Sequence, residues 1–362
     1  MAMALVAAAG VPASARSGFK PPPIRHVFTI VLENKNFDAS FGADSEAPYL
    51  ANRLPKKGQL LTQYYGTGHF SLGNYITMIS GQAENLMTQL DCQSFYEMVP
   101  GTIGPDGQAL GAGCVFPSAV KNITDQFRGK ALRWRSYNQD MGKDPSREAR
   151  RCGAPALGAQ DPTQHATPKD QYAARHNPFV YFHSILDRKT LCRNHVVSLD
   201  KLKSDLKRVR TTRHYTFITP DLCADGHDET CADPNQKGGY PGINEFLRKW
   251  VPKITRSKAY RNNGLLMITF DESESGAESC CFTPTGPNAA QQGLSGPGGG
   301  RTGAVLLSPW IKPGTTNDTP YNHYSLLRSV EDIFKLRHLG YAARPEVSSF
   351  GRDVFRKHRV RR

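Results

Sequence analysis

The sequence predicts an α/β protein with a mostly parallel central sheet flanked by helices and carrying loop-rich insertions. Three observations predict this class: short β-branched apolar runs of buried-strand type, segments of helical spacing between them, and acidic residues where the runs end. The chain has 362 residues and no run of about 18 consecutive apolar ones. One core with insertions is therefore expected, and no membrane-spanning helix.

Taken in order, residues 1–23 read as a signal-like or disordered segment. Residues 2–11 are largely apolar, and Ala13-Ser14-Ala15 offers a small-residue cleavage site. After Pro21-Pro22-Pro23, residues 26–32 (HVFTIVL) form the first predicted strand, which ends abruptly in Glu33-Asn34. Residues 74–80 (NYITMIS) have helical character with a stop at Gly81, and Ser71 stands just before them. From about 82 to 171 the chain is rich in Gly, Pro, Cys and charge without sustained period, so an insertion of loops and short elements is expected within a single domain over 24–350.

Residues 215–219 (YTFIT) are a second strand, leading to Asp221, and residues 264–270 (GLLMITF) a third, running directly into Asp271-Glu272. Residues 242–251 between them read as helix. A Gly-rich loop over 296–303 precedes a strand over 304–307. Leu326, Leu327, Val330, Ile333 and Phe334 then recur at helical spacing in a core-facing helix over 324–336. Residues 351–362 form a basic tail.

The balance of 46 Lys plus Arg against 32 Asp plus Glu gives a net charge of +14, concentrated over 201–213 and in the tail. Such charge concerns partners rather than fold, and it suits anionic substrates or peripheral contact with anionic surfaces. No zinc-finger, ribonucleoprotein or helix-turn-helix signature accompanies it, so no specific nucleic-acid partner is expected. Eight cysteines form no CxxC pair and no zinc-type Cys/His spacing. Disulfides, with Cys223–Cys231 and Cys92–Cys114 as candidate pairs, and a secreted or cell-envelope location follow as expectations.

In open parallel sheets, ligands bind beyond the carboxyl ends of the strands. Glu33, Asn34, Asp271 and Glu272 would meet there, and three converging carboxylates repel unless protons or a cation neutralise them. One divalent metal is the economical solution, with oxygen ligands favouring Mg, Ca or Mn and leaving Zn or Fe open. Ser71, before a helix, is the candidate nucleophile, because anions gather at free helix amides. GHFSLG is not the GxSxG nucleophile elbow, since His69 occupies the place of the first Gly. His69, His176 and His227 sit in polar, Gly- or Pro-marked settings suited to contacting phosphoryl oxygens or protonating a leaving group. Asp225 and Asp228 could equally make His227 part of a second metal site. His26, His183, His195, His214 and His323 lack such settings.

Seven blocks occur in order: ENxxFD (Glu33 to Asp38), HxSLGNYxxxISG (His69 to Gly81), HNPFxYF (His176 to Phe182), TPDLxxDGHD (Thr219 to Asp228), TFDE (Thr269 to Glu272), LLSPWIKPG (Leu306 to Gly314) and YNHYSLLRSVEDIF (Tyr321 to Phe334). Together they resemble the bacterial phosphoesterase family, which contains acid phosphatases and non-specific phospholipases C. The resemblance implies an alkaline-phosphatase-like fold and a metal held by Glu33, Asn34, Asp271 and Glu272. It implies Ser71 as the phosphate-accepting nucleophile, His176 and His227 in the phosphate pocket, and His69 and Asn74 in contact with substrate. Glu272 stands where many members have Asp, and Gly73 where Pro is common; the latter departure reads as minor.

The expected function is a metal-dependent phosphoesterase that hydrolyses phosphate mono- or diesters through a phosphoseryl intermediate on Ser71. The alternatives are a phospholipase C-type phosphodiesterase, a metal-independent serine carboxylesterase, and a non-catalytic anion-binding surface protein.

Overall fold

The computed structural model describes residues 19–358, so residues 1–18 of the signal-like segment and the last four residues of the basic tail lie outside the described residues. The main sheet contains β1 (His26–Leu32), β2 (Gln59–Leu61), β3 (Trp134–Asn138), β4 (Val196–Ser198), β5 (Tyr215–Thr219), β6 (Gly264–Phe270), β7 (Ala304–Leu307) and β8 (Thr315–Asn317). Their spatial order is β8-β2-β7-β6-β1-β5-β3-β4. β1 runs parallel to β5 and β6, and β3 parallel to β5 and β4. Only β7 reverses direction, pairing antiparallel with β6 and β2. This is the α/β architecture that the strand runs predict.

Both faces of the sheet are covered, which is why its central strands read as continuous apolar runs rather than alternating ones. Val27 and Val31 of β1 point into one core with Leu72, Tyr75 and Ile79 of α1 (Ser71–Ser80). Leu327 and Val330 of α3 (His323–Phe334) join that core. Phe28, Ile30 and Leu32 point the other way, onto Ile243, Phe246 and Trp250 of α2 (Gly239–Arg256). Gly81 closes α1 with φ +68°, a left-handed cap that glycine adopts without penalty.

Three expectations change. Ser71 is the first residue of α1 rather than its predecessor. The segment over 82–171 is not purely an insertion, because one of its short elements, β3, lies inside the main sheet between β5 and β4. Arg135 hid that strand. It is buried on a salt bridge to Asp205, while its guanidinium also donates to the Asn194 carbonyl at 2.8 and 3.0 Å. A paired charge of this kind is tolerated inside, but in sequence it breaks the apolar run. The start of the basic tail is docked, with Val354 and Phe355 buried and Asp353 accepting hydrogen bonds from Tyr321 at 2.6 Å and Asn317 at 2.9 Å.

All eight cysteines pair: Cys92–Cys114 and Cys223–Cys231, as anticipated, plus Cys152–Cys192 and the adjacent Cys280–Cys281. Thiol titration of unreduced, denatured protein is expected to find no free thiol. Cys152–Cys192 closes 40 residues, so reducing it should cost about 2–4 kcal/mol of stability in chemical denaturation. Free thiols in natively produced active protein would contradict these pairings. Among the described residues no helix is long and apolar enough to cross a membrane.

Candidate active site

The parallel register of β1 and β6 sets Leu32 beside Phe270, so Glu33 and Asp271 leave the sheet side by side. β5, on the other flank of β1, leads through Asp221 to Asp225 and His227. Strand ends far apart in sequence thus meet at one edge, where α1 also begins.

Glu33 is the hub and is fully buried. Its Oε2 accepts the Ser71 hydroxyl at 2.8 Å and lies 3.3 Å from His176 Nε2, while its Oε1 accepts the Tyr75 hydroxyl. His176 Nδ1 faces Asp225 Oδ2 at 3.2 Å, so the ring is held between two carboxylates. Asp271 Oδ1 accepts the main-chain N–H of Asn34 at 3.1 Å, and Asp271 Oδ2 is buried without a hydrogen-bond partner. Glu272 takes the Asn74 amide at 3.1 Å on Oε2 and faces His69 Nδ1 at 3.3 Å on Oε1. The Asn34 amide nitrogen, once turned, reaches Glu272 Oε1 and Asp271 Oδ1 at 3.3 Å each; in the opposite orientation three oxygens converge.

Burial first, then the charges of Asp271 and Asp225, hold the Glu33 carboxyl well above the usual carboxylate range. Burial and the Asp271 charge do the same to Glu272, and burial raises Asp225 and Asp271. His176 is pushed well below the ordinary imidazole value by burial, then by Arg175 and His227. A divalent cation fits this chemistry, since clustered carboxylates, an orphan Asp271 oxygen and a carboxamide oxygen are hard ligands in need of positive charge. Glu33, His176 and Asp225 also offer ligand atoms all within 4.8 Å of one another, an arrangement that could hold a metal ion.

Ser71 does not cap its helix. Phe70 occupies the cap position at φ +39°, a conformation costly for a residue with a side chain, and the Ser71 hydroxyl is turned to Glu33 instead. The Leu72 amide, one of the free donors expected to attract an anion, already holds Asp91 Oδ1 at 2.9 Å. Asn74, expected at the substrate, is fully buried. Its oxygen accepts from Thr67 N and Gly68 N at 2.8 and 3.1 Å, and its nitrogen donates to the Gly68 carbonyl at 2.8 Å. That side chain buckles the approach loop onto α1. His227 is more open, with Nδ1 at 2.7 Å from Asp228 and Nε2 at 3.2 Å from Arg175 Nη2.

Sequence reading passed over Arg175, Asp91, Tyr75, Glu84 and His323. Arg175, beside His176, and Tyr75 and His323, each a residue of a quoted block, carried a signal; Asp91 and Glu84 did not. His323, at the start of α3, is buried against Tyr64 at 3.0 Å and holds the main-chain carbonyl of Asp271. Glu84 is buried beside the first turn of α1. Neither of its carboxyl oxygens makes a well-formed hydrogen bond, and the Gln89 amide lies alongside. A Cβ at Gly73 or Gly68 would overlap the Glu84 carboxyl, so Gly73 in place of the common Pro is no minor change: its missing side chain makes room for Glu84. Gly73→Ala is expected to cost about 1–3 kcal/mol, and Glu84→Ala in the same chain to recover part of that. Melting curves of the two single variants and the double variant test the coupling, which simple additivity would refute.

A model of the Phosphoesterase family matches residues 43–337. The chain belongs to this family. A probable acid phosphatase of Kluyveromyces lactis is 26% identical over 326 residues, covering 87% of this chain and 59% of the relative. The chain thus spans about three fifths of that relative's length. A phosphatidylinositol-3-phosphatase of Mycobacterium tuberculosis is 22% identical, covering 89% of this chain and 80% of its own. Among solved structures, the lipoteichoic acid synthase LtaP from Listeria monocytogenes covers 92% of this phosphoesterase chain and 80% of its own at TM-score 0.50 and 8% identity, a likeness of fold alone.

Proposed function

We propose that this family member is a metal-dependent phosphoesterase acting on phosphate monoesters or diesters, with Ser71 as nucleophile. The observation that carries the reading is the Ser71 hydroxyl, turned away from helix capping and held at 2.8 Å by Glu33 inside a cluster of buried carboxylates. Glu33, Asn34, Asp271 and Glu272 would hold a divalent ion, with His176 and Asp225 offering a neighbouring ligand pair through Glu33. When bound, such an ion supplies Lewis acidity and lowers the cost of an anionic serine oxygen.

The residues of the chain divide the remaining work. Ser71 attacks phosphorus in line with the departing alcohol, passing its hydroxyl proton to Glu33 Oε2 as the phosphoseryl ester forms and the P–O bond to the alcohol breaks. Glu33 Oε2, which accepts the Ser71 hydrogen bond, orients the hydroxyl before attack. The Arg175 guanidinium beside His227 adds fixed positive charge for the nonbridging oxygens. His227, the more open imidazole, gives a proton to the leaving oxygen, and water then hydrolyses the phosphoserine, releasing phosphate and restoring the Ser71 hydroxyl. Asn74 acts as a positioning residue for the approach loop and Glu272, while His69 borders the substrate. Acid phosphatase relatives support the monoester arm. Four disulfides suit an oxidising, extracellular compartment.

A panel of p-nitrophenyl phosphate, bis-p-nitrophenyl phosphate and p-nitrophenyl acetate, each with EDTA or with Mg, Ca, Mn, Zn or Fe, tests the reading. The expected result is turnover of at least one phosphate ester that EDTA removes, a divalent ion restores and vanadate inhibits. Acetate hydrolysis insensitive to both EDTA and vanadate, without phosphoester turnover, would overturn it in favour of a serine carboxylesterase.

A further inference from the structure

At the opposite edge of the sheet, where β1, β3 and β5 begin, the molecule carries a cleft of about 580 Å³. Seven residues of β1 separate it from Glu33, a distance of ~23 Å at ~3.3 Å per residue. It therefore lies apart from the catalytic edge.

The lining carries four cations, Arg25, Arg133, Arg210 and Lys335, and no Asp or Glu. Asp332, one turn of chain away, is engaged with His338 at 2.8 Å. Arg25, Arg210 and Lys335 are exposed at the rim. Arg133 is braced by hydrogen bonds to the carbonyls of Arg210 and Thr212, which fixes its charge at the wall. The basic run over 201–213, one of the two charge concentrations in the sequence, delivers Val209 and Arg210 to this place. Four like charges around one concavity repel one another, and an anion offsets that cost.

The lining is also apolar, with Leu132, Ile333 and Phe334 less exposed than the rim cations and forming its floor. His26 and His214 form a flat aromatic wall, their rings stacked at 5.6 Å and 11°. Both imidazoles are tethered on Nδ1, His26 to the Arg213 carbonyl at 2.8 Å and His214 to the Arg133 amide at 2.9 Å, so the wall is rigid. A concave apolar surface with a few fixed charges is the general form of a small-molecule site.

We propose that this cleft binds an organic anion with an apolar body, of the fatty or aryl carboxylate, sulfonate or phosphate type, at a site separate from the catalytic one. The cations take the charged head, and the floor and imidazole wall take the body. Decane-1-sulfonate below its micellar concentration is a suitable probe, because it cannot be turned over as a phosphoester. Calorimetric titration of the full chain is expected to show saturable 1:1 binding that survives Ser71→Ala and saturating vanadate. The Arg25→Glu, Arg210→Glu double variant, altered only at exposed side chains, should weaken it at least ~10-fold at unchanged melting temperature. The Arg25→Gln, Arg210→Gln pair should act in the same direction. Neutral decyl glucoside and inorganic phosphate should each bind at least ~10-fold more weakly than the sulfonate, since each supplies half of the recognition. Binding that vanadate abolishes, that the charge variants leave intact, or that either half-ligand matches would overturn the proposal, as would absence of binding.

Discussion

Ser71→Ala is expected to lower kcat by at least ~10³-fold, about 4 kcal/mol of transition-state stabilisation, while metal content stays at the wild-type level. The variant also removes the hydroxyl that donates to Glu33 Oε2 at 2.8 Å. Tyr75 and His176 still face that carboxyl, so the stability loss should stay near 1–3 kcal/mol rather than unfold the chain. A helix-capping serine would behave differently, because its loss costs about 1 kcal/mol and spares the chemistry. In the structure the cap position belongs to Phe70, and the Ser71 side chain makes no capping bond. Rapid quench with a radiolabelled substrate should trap label on the wild type and none on the variant. A folded, metal-replete Ser71→Ala enzyme with near-normal turnover would leave the covalent mechanism without its nucleophile.

Asp271→Asn is expected to weaken divalent-metal binding at least ~10-fold and to reduce phosphoester turnover in proportion to metal lost. The substitution keeps the shape of the side chain but removes a charge from the buried cluster. Elemental analysis after dialysis against a graded chelator measures it. Equal tight metal in wild type and in a Glu33→Ala, Asp271→Ala double variant would refute the site.

The same cluster carries a pH signature. Glu33, Asp225 and Glu272 have folded-state pKa values raised above their unfolded ones. A group raised in this way contributes stability that is present below its unfolded pKa and is lost as pH rises through the folded pKa. Metal-free protein should therefore melt progressively lower as pH climbs above the ordinary carboxylate range, and a divalent ion should reverse that loss at neutral pH. His176 has the opposite sign: its lowered pKa makes folding less favourable as pH falls below the ordinary imidazole value. Melting curves from pH 5 to 8, with and without metal, read both limbs.

Much of the site was legible because its chemistry sits at places that leave local traces. Glu33 and Asp271 each follow a seven-residue apolar strand, and a buried strand ending in an acid is conspicuous in sequence. Asp91 and Glu84 had no such trace. They lie in irregular chain and acquire meaning only by lying against the Leu72 amide and the Gly73 backbone. His323 looked like one more residue at a helix start, yet it holds the Asp271 carbonyl from a segment 52 residues away.

The sequence by itself determined the α/β class, the strands β1, β5, β6 and β7, the closing glycine of α1 and the residues that resemble a phosphoesterase site. These depend on local periodicity, turn chemistry and short motifs. Tertiary structure alone decided that β3 with its buried Arg135 lies inside the sheet, that His176 stands between Glu33 and Asp225, and that Asn74 is tied to the approach loop. It also gathered cations from three strand starts around one apolar cleft. Those outcomes depend on which distant segments pack together, since the charge or polarity of a side chain tells nothing about the partner that will satisfy it.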